Sequence, residues 1–122
     1  MGYNVFGAAN VDFDNTPGPS LVHIGPVNVH DIAAVNNSTA AAYLQIFDLG
    51  RTPILGTDIP VIQFLIPFAT VAGQLTPPLA IGMRDGVNLQ QGFAYGVTTT
   101  RGGSTAVAAH VVTGSVSWKP SS

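Results

Sequence analysis

The sequence predicts an all-β fold, an antiparallel β-sandwich of jelly-roll or immunoglobulin-like topology with an extended N-terminal arm. Short apolar runs alternate with period two, turn residues recur every eight to twelve positions, and no stretch carries a helical period. The pattern alone leaves the two topologies open, and the uneven strand spacing disfavours an up-and-down barrel. At 122 residues the chain is read as one domain, with residues 1–20 as the arm and residues 21–122 as the sandwich.

The arm carries the spaced aromatics Tyr3, Phe6 and Phe13 and closes on Thr16-Pro17-Gly18-Pro19-Ser20, which neither a helix nor a central strand accommodates. Its apolar side chains have no period that would fold them onto their neighbours. They are expected to dock, either on a sheet edge of their own domain or on another chain.

Strand character begins at Leu21-Val22-His23-Ile24 and stops at Gly25-Pro26. From Val27 to Val35 the alternation places Val27, Val29, Ala33 and Val35 on one side and His30 on the other. Asn36-Asn37-Ser38-Thr39 is a turn, after which Ala41 to Asp48 sends Leu44 and Ile46 one way and Tyr43, Gln45 and Phe47 the other. A long polar loop, Asp48 to Asp58, leads into the most apolar segment, Ile59 to Pro67. Prolines at both of its ends exclude a helix and suit a strand's margins. Ile62, Phe64 and Ile66 form its core row, and burial of each contributes about 1.5–3 kcal/mol before chain entropy is subtracted. Its other row sets Val61 and Leu65 around Gln63, too apolar for open water and too polar for a dry core. Such a row is expected to meet another surface.

Gly73 to Gly82, with Pro77-Pro78, reads as extended and edge-like, and Asp85-Gly86 as a primed turn. Gly92 to Thr99 is a strand with Phe93, Tyr95 and Val97 on one face and only Ala or Gly opposite until Thr98. A turn at Arg101-Gly102-Gly103-Ser104 opens the last strand, Ala106 to Lys119. There His110, Val112, Gly114, Val116 and Trp118 face away from a solvated row of Thr113, Ser115, Ser117 and Lys119.

Charged residues make up 8% of the chain, against about 25% in an ordinary soluble domain, while hydrophobic residues reach 46%. So little like charge keeps copies apart poorly, and life in an assembly or bound to a partner is expected, a homo-oligomeric assembly being expected as a dimer or trimer. Four Lys and Arg in a chain of net charge −2 disfavour nucleic acid as a partner. The longest apolar run is broken by Gln63 and Pro67, short of the ~18 to 20 residues of a membrane helix. No signal peptide or myristoylation motif is expected from the Met1 to Phe6 start.

Catalytic chemistry finds little purchase. The absence of cysteine removes disulfides, thiolate metal sites and cysteine nucleophiles. His23, His30 and His110 lie on separate predicted strands without paired spacing, so no metal or other cofactor is expected. Asp12-Phe13-Asp14-Asn15 lacks the glycine and closing glutamate of a calcium loop, since the chain has no Glu. No serine stands in a Gly-x-Ser-x-Gly elbow, and Gly102-Gly103 has no helix behind it to form a phosphate cradle. Six Asp residues leave a glycosidase pair conceivable, yet each sits beside a turn former or a strand end. The chain is expected not to be an enzyme.

The runs Asn37 to Asp48, Pro60 to Pro67 and Gly92 to Thr98 resemble small β-sandwich virion proteins of tailed bacteriophages, of the head decoration or cement kind. The likeness spans about Asn28 to Thr99 and rests on residue type; residues before Leu21 and after Thr105 lie outside it. It implies a non-enzymatic structural protein made in the host bacterial cytoplasm that ends on the outer surface of the capsid, bound to the major capsid protein and to its own copies. No catalytic or ligand residue is carried over. Tyr43, Phe47, Val61 and Leu65 would then supply subunit contacts, and Tyr3, Phe6 and Phe13 would lie across the capsid protein. The alternative is a glycan- or receptor-binding module of a phage fibre or tail, with Tyr95 and the loops Asp48 to Asp58 and Arg84 to Asn88 as its candidates.

Overall fold

The computed structural model describes residues 9–12, 17–71 and 76–121, with residues 9–11, 84 and 85 described by backbone alone. Among them the chain is all strand and connection, with no helix. Eight strands follow in order: β1 (Ala9–Asp12), β2 (Ser20–Ile24), β3 (Val27–Asn36), β4 (Ala42–Phe47), β5 (Ile62–Ile66), β6 (Leu79–Leu89), β7 (Gly92–Thr98) and β8 (Val112–Pro120). They form two antiparallel sheets of four, ordered β1-β8-β3-β6 and β2-β7-β4-β5. Every connection except β4 to β5 passes from one sheet to the other. Neither sheet could fold alone, because each takes its strands from both halves of the chain.

The core is the apolar row of each inner face. Leu44, Ile46, Phe93, Tyr95 and Val97 of one sheet meet Val27, Val29, Ile32, Val112 and Val116 of the other, all buried. The alternation read on β4 and β7 holds: Phe93, Tyr95 and Val97 point inward, and Ala94 and Gly96 outward. Burial pushes the Tyr95 phenol pKa up, opposed by a hydrogen bond with Ser20 and reinforced by the Asp12 carboxylate.

Three expectations are corrected. In β3 the pairing register shifts between Val29 and Asp31 against both neighbours, so the inward row is Val27, Val29, Ile32 and Ala34, and Ala33 and Val35 turn outward. A bulge at His30 inserts one residue and inverts the phase beyond it. Asp85-Gly86 makes no hairpin turn but lies inside β6, where the register jumps opposite His30. Gly86 has φ 74°, and a Cβ there would stand 3.2 Å from the His30 ring, so glycine suits both the backbone and the space. The final strand begins at Val112 and not at Ala106; His110, with φ 69°, turns the chain just before it.

Of the arm, residues 9–12 and 17–20 are described. Its residues 9–12 are β1, paired with β8 from Ala9 opposite Trp118 to Asp12 opposite Ser115. The Val97 amide donates to the Pro17 carbonyl at 2.7 Å. These parts of residues 1–20 belong to the sandwich itself, the sheet-edge role that was one of the two expected for the segment. Tyr3, Phe6 and Phe13 lie outside the described residues.

Two connections are fixed by side chains. Asn36 Oδ1 accepts from the Ser38 amide at 2.9 Å and the Ser38 hydroxyl at 2.8 Å, and Asn36 Nδ2 donates to the Ala40 carbonyl, closing the β3–β4 turn. Asp48 accepts from the amides of Gln90, Gln91 and Gly92, tying the end of β4 to the β6–β7 connection.

Candidate docking edge

The outer face of the β2-β7-β4-β5 sheet gathers the residues expected to meet another surface. Pairing sets Gln45 opposite Gln63 and Tyr43 opposite Leu65 across β4 and β5, and Phe47 opposite Ala94, Gln45 opposite Gly96 and Tyr43 opposite Thr98 across β4 and β7. With Val61 just ahead of β5, they share one side of the sheet.

Much of that side is covered from within the chain. The β4–β5 loop folds back so that a Cβ on Gly96 would stand 2.7 Å from Leu55 Cδ2, and Pro53 is buried beneath the same loop. The loop is braced by a two-pronged Arg51–Asp58 ion pair, 2.7 Å on each prong, and by the Ile54 amide donating to Asp58 Oδ2. The Arg51 guanidinium and then the Ile54 amide lower the Asp58 pKa to about 2. Residues 99–105 form the second cover. Gln45 Nε2 donates to Thr98 Oγ1 at 2.8 Å and to the Gly103 carbonyl at 3.3 Å, while the Gly102 amide donates to Gln63 Oε1 at 2.6 Å. The covers meet where Gly56, at φ 84°, stands against Ser104.

The consequence is a correction. Phe47 is 0% exposed, so it is not an outward contact residue; it is buried within the single chain. Gln45 is buried as well, with its Oε1 left without a partner among the described residues. Tyr43 is half-buried. Val61 and Leu65 do face outward, 52% and 46% exposed, and Ile59 just before them is 87% exposed. β5 is the last strand of its sheet, so these residues line an edge whose far side carries no strand among the described residues.

No protein-family model, curated protein or solved structure matches this chain.

The remaining candidates are not brought together at one place. Tyr95, the aromatic of the glycan alternative, is fully buried in the core. Asp48 and Asp58, from its first loop, are engaged in bracing the backbone; Arg84 and Asp85, from its second, have no described side chains. His23 lies against Trp118 with ring centroids 5.0 Å apart and planes tilted by 41°, whereas His30 sits in the β3 bulge and His110 at a turn. No group of three or more His or Asp side chains able to hold a metal occurs among the described residues. Ile59, Leu55 and Gly102 were not among the residues expected at this surface. The matching phase of Gln45 and Gln63 on adjacent predicted strands was the available sign that polar partners from the chain itself lay above them.

Proposed function

We propose that the chain is a structural virion protein, a decoration or cement protein that binds the outer surface of a bacteriophage head and stabilises it through repeated subunit contacts. The carrying observation is the β5 edge: Ile59, Val61 and Leu65 stay exposed on a chain with 8% charged residues. A surface of this kind suits many weak, charge-poor contacts repeated by symmetry, in which modest affinity per site accumulates. The order β1-β8-β3-β6 over β2-β7-β4-β5 supports the jelly-roll reading of the sandwich over the immunoglobulin-like one, since eight strands wound as two Greek keys give these two sheets. In this reading the major capsid protein and further copies of the chain are the partners, no catalysis is involved, and the protein resides on the capsid exterior. Phe47 no longer belongs among the contacts. The glycan-binding alternative loses its aromatic, Tyr95, to the core.

The test is decoration itself. Heads assembled without the protein are incubated with wild type and with an Ile59→Asp/Val61→Asp double variant, and occupancy is read by electron cryomicroscopy. Wild type should bind, and the variant, folded by circular dichroism, should lose at least about tenfold in affinity, on the order of 1.4 kcal/mol. Failure of wild type to bind, or equal binding by the variant, overturns the reading. A companion truncation should remove Met1 to Ala8 and no more, because Ala9–Asp12 is a strand of the sandwich.

A further inference from the structure

We propose that the free edge of β5 pairs antiparallel with β5 of a second copy across a two-fold axis, so that two four-stranded sheets become one of eight. The inference names the partner of the edge on which the decoration reading rests.

A comparison of the four sheet edges singles this one out. β1 is four residues long, β2 is interrupted by a register shift between Leu21 and His23, and β6 is displaced where Met83 to Gly86 face His30. Short length, bulges and displaced backbone all spoil an edge as a template for pairing. β5 is itself short, at five residues, but carries neither a bulge nor displaced backbone. It keeps one unbroken register with β4, from Ile62 opposite Ile46 to Ile66 opposite Ala42, and Pro60 and Pro67 confine any new pairing to the span between them.

Charge then selects the partner. From Ile59 to Met83 no residue is charged, and Asp58, just before this run, is held by Arg51. Two identical edges therefore approach without like-charge repulsion, while a charged strand would find no counter-charge to meet. The inner row supplies a second reason. Leu44 and Ile46 of β4 are fully buried, yet Ile62 and Phe64, in the same layer one strand further out, are only partly covered. Ile66 is buried, so the core thins along β5 toward Phe64 and Ile62. In an antiparallel pairing centred on Phe64, Ile62 comes beside Ile66 of the other copy and Phe64 beside its counterpart, which continues the apolar layer. On the outer face Gln63 meets Leu65. Among the described residues each copy owns one such edge, so the arrangement closes at two. Pairing over five residues covers a few hundred Å2 per copy, less than the ~800 Å2 of a standard interface, so the dimer is reversible and forms at high concentration.

Analytical ultracentrifugation of the whole chain across a concentration series up to about 1 mM tests this. Wild type should pass from monomer to dimer. Leu65→Lys, which places cations on both sides of the two-fold, should raise the dissociation constant at least tenfold, and an equimolar mixture of Leu65→Lys with Leu65→Asp should restore dimers. Wild type that stays monomeric, a Leu65→Lys variant that dimerises like wild type, or a mixture that stays monomeric overturns the pairing. The two readings fail separately: a monomer that still decorates heads sinks the pairing alone, and a dimer that ignores heads sinks the decoration reading alone.

Discussion

The middle and the margin of one sheet face carry the same kind of sequence and meet opposite fates. Phe47, in the middle, is 0% exposed, whereas Val61 and Leu65, at the β5 margin, are 52% and 46% exposed. All three alternate outward from strands whose other row is core. What separates them is reach. The β4–β5 loop and residues 99–105 return over β4 and β7, the first braced by Arg51 and Asp58 and the second fastened by Gln45 and Gln63, and Val61 and Leu65 stay outside both covers. An outward apolar residue marks an interface only after the chain's own loops have been given the chance to cover it.

The comparison breaks most readily at Phe47. If it is buried within the single chain, Phe47→Ala should cost about 3–5 kcal/mol of unfolding free energy in urea titrations, as large-to-small changes at buried aromatics do. A loss under about 1 kcal/mol would mean that the middle is no better covered than the margin. Next in size is Gln45→Ala, which deletes the bonds to Thr98 Oγ1 and the Gly103 carbonyl and should cost roughly 1–3 kcal/mol. It should also free residues 99–105, so trypsin should cut after the exposed Arg101 faster than in wild type. An unchanged cleavage rate would show that the cover is held by something other than Gln45.

Much of the sandwich was legible because period-two alternation survives wherever pairing is regular. β4 keeps an unbroken register with both β5 and β7, and the inward rows of these three strands are those that the sequence marks. The reading failed where one residue was inserted or a turn signal was absorbed. The His30 bulge reverses the phase of β3, and Asp85-Gly86, chemically a hairpin turn, is carried inside β6 because its neighbours on both sides pair with β3. Neither is a local property of the sequence; each is decided by the partner strand. The site was half legible for a related reason. The row Val61, Gln63, Leu65 was correctly odd, but a contact surface can come from the same chain, and the loop carrying Leu55 showed no apolar period to announce that it would fold back.

The brace of that loop offers a smaller, pH-dependent handle. Asp58 has its pKa lowered from 3.8 to about 2, first by the Arg51 guanidinium and then by the Ile54 amide. Because the folded value is the depressed one, the contribution to stability is fully present above pH 3.8 and is lost as pH falls through about 2. The pair is exposed and its effect on global stability is slight. The observable is the titration itself: the Asp58 carboxyl followed by NMR should titrate near 2 in wild type and move up toward its ordinary value in Arg51→Ala. A midpoint unmoved by the substitution would take Arg51 out of the brace and leave the Ile54 amide as its fastening.

The smallest effect is expected where the margin is substituted in a dilute, monomeric sample. Leu65 is half exposed on an edge strand, and Lys is among the residues that soluble proteins place on such edges, so Leu65→Lys should shift unfolding free energy by no more than about 0.5 kcal/mol. Loss of two or more kcal/mol would show that Leu65 is covered within the single chain, and the distinction between middle and margin would vanish. A flat stability together with a weakened dimer would place the role of Leu65 between copies and outside the fold. The same side chain type, Leu or Phe, on the same face of the same sheet would then serve cohesion in one strand and association in the next, with the cover of residues 99–105, fastened by Gln45 and Gln63, as the boundary between them.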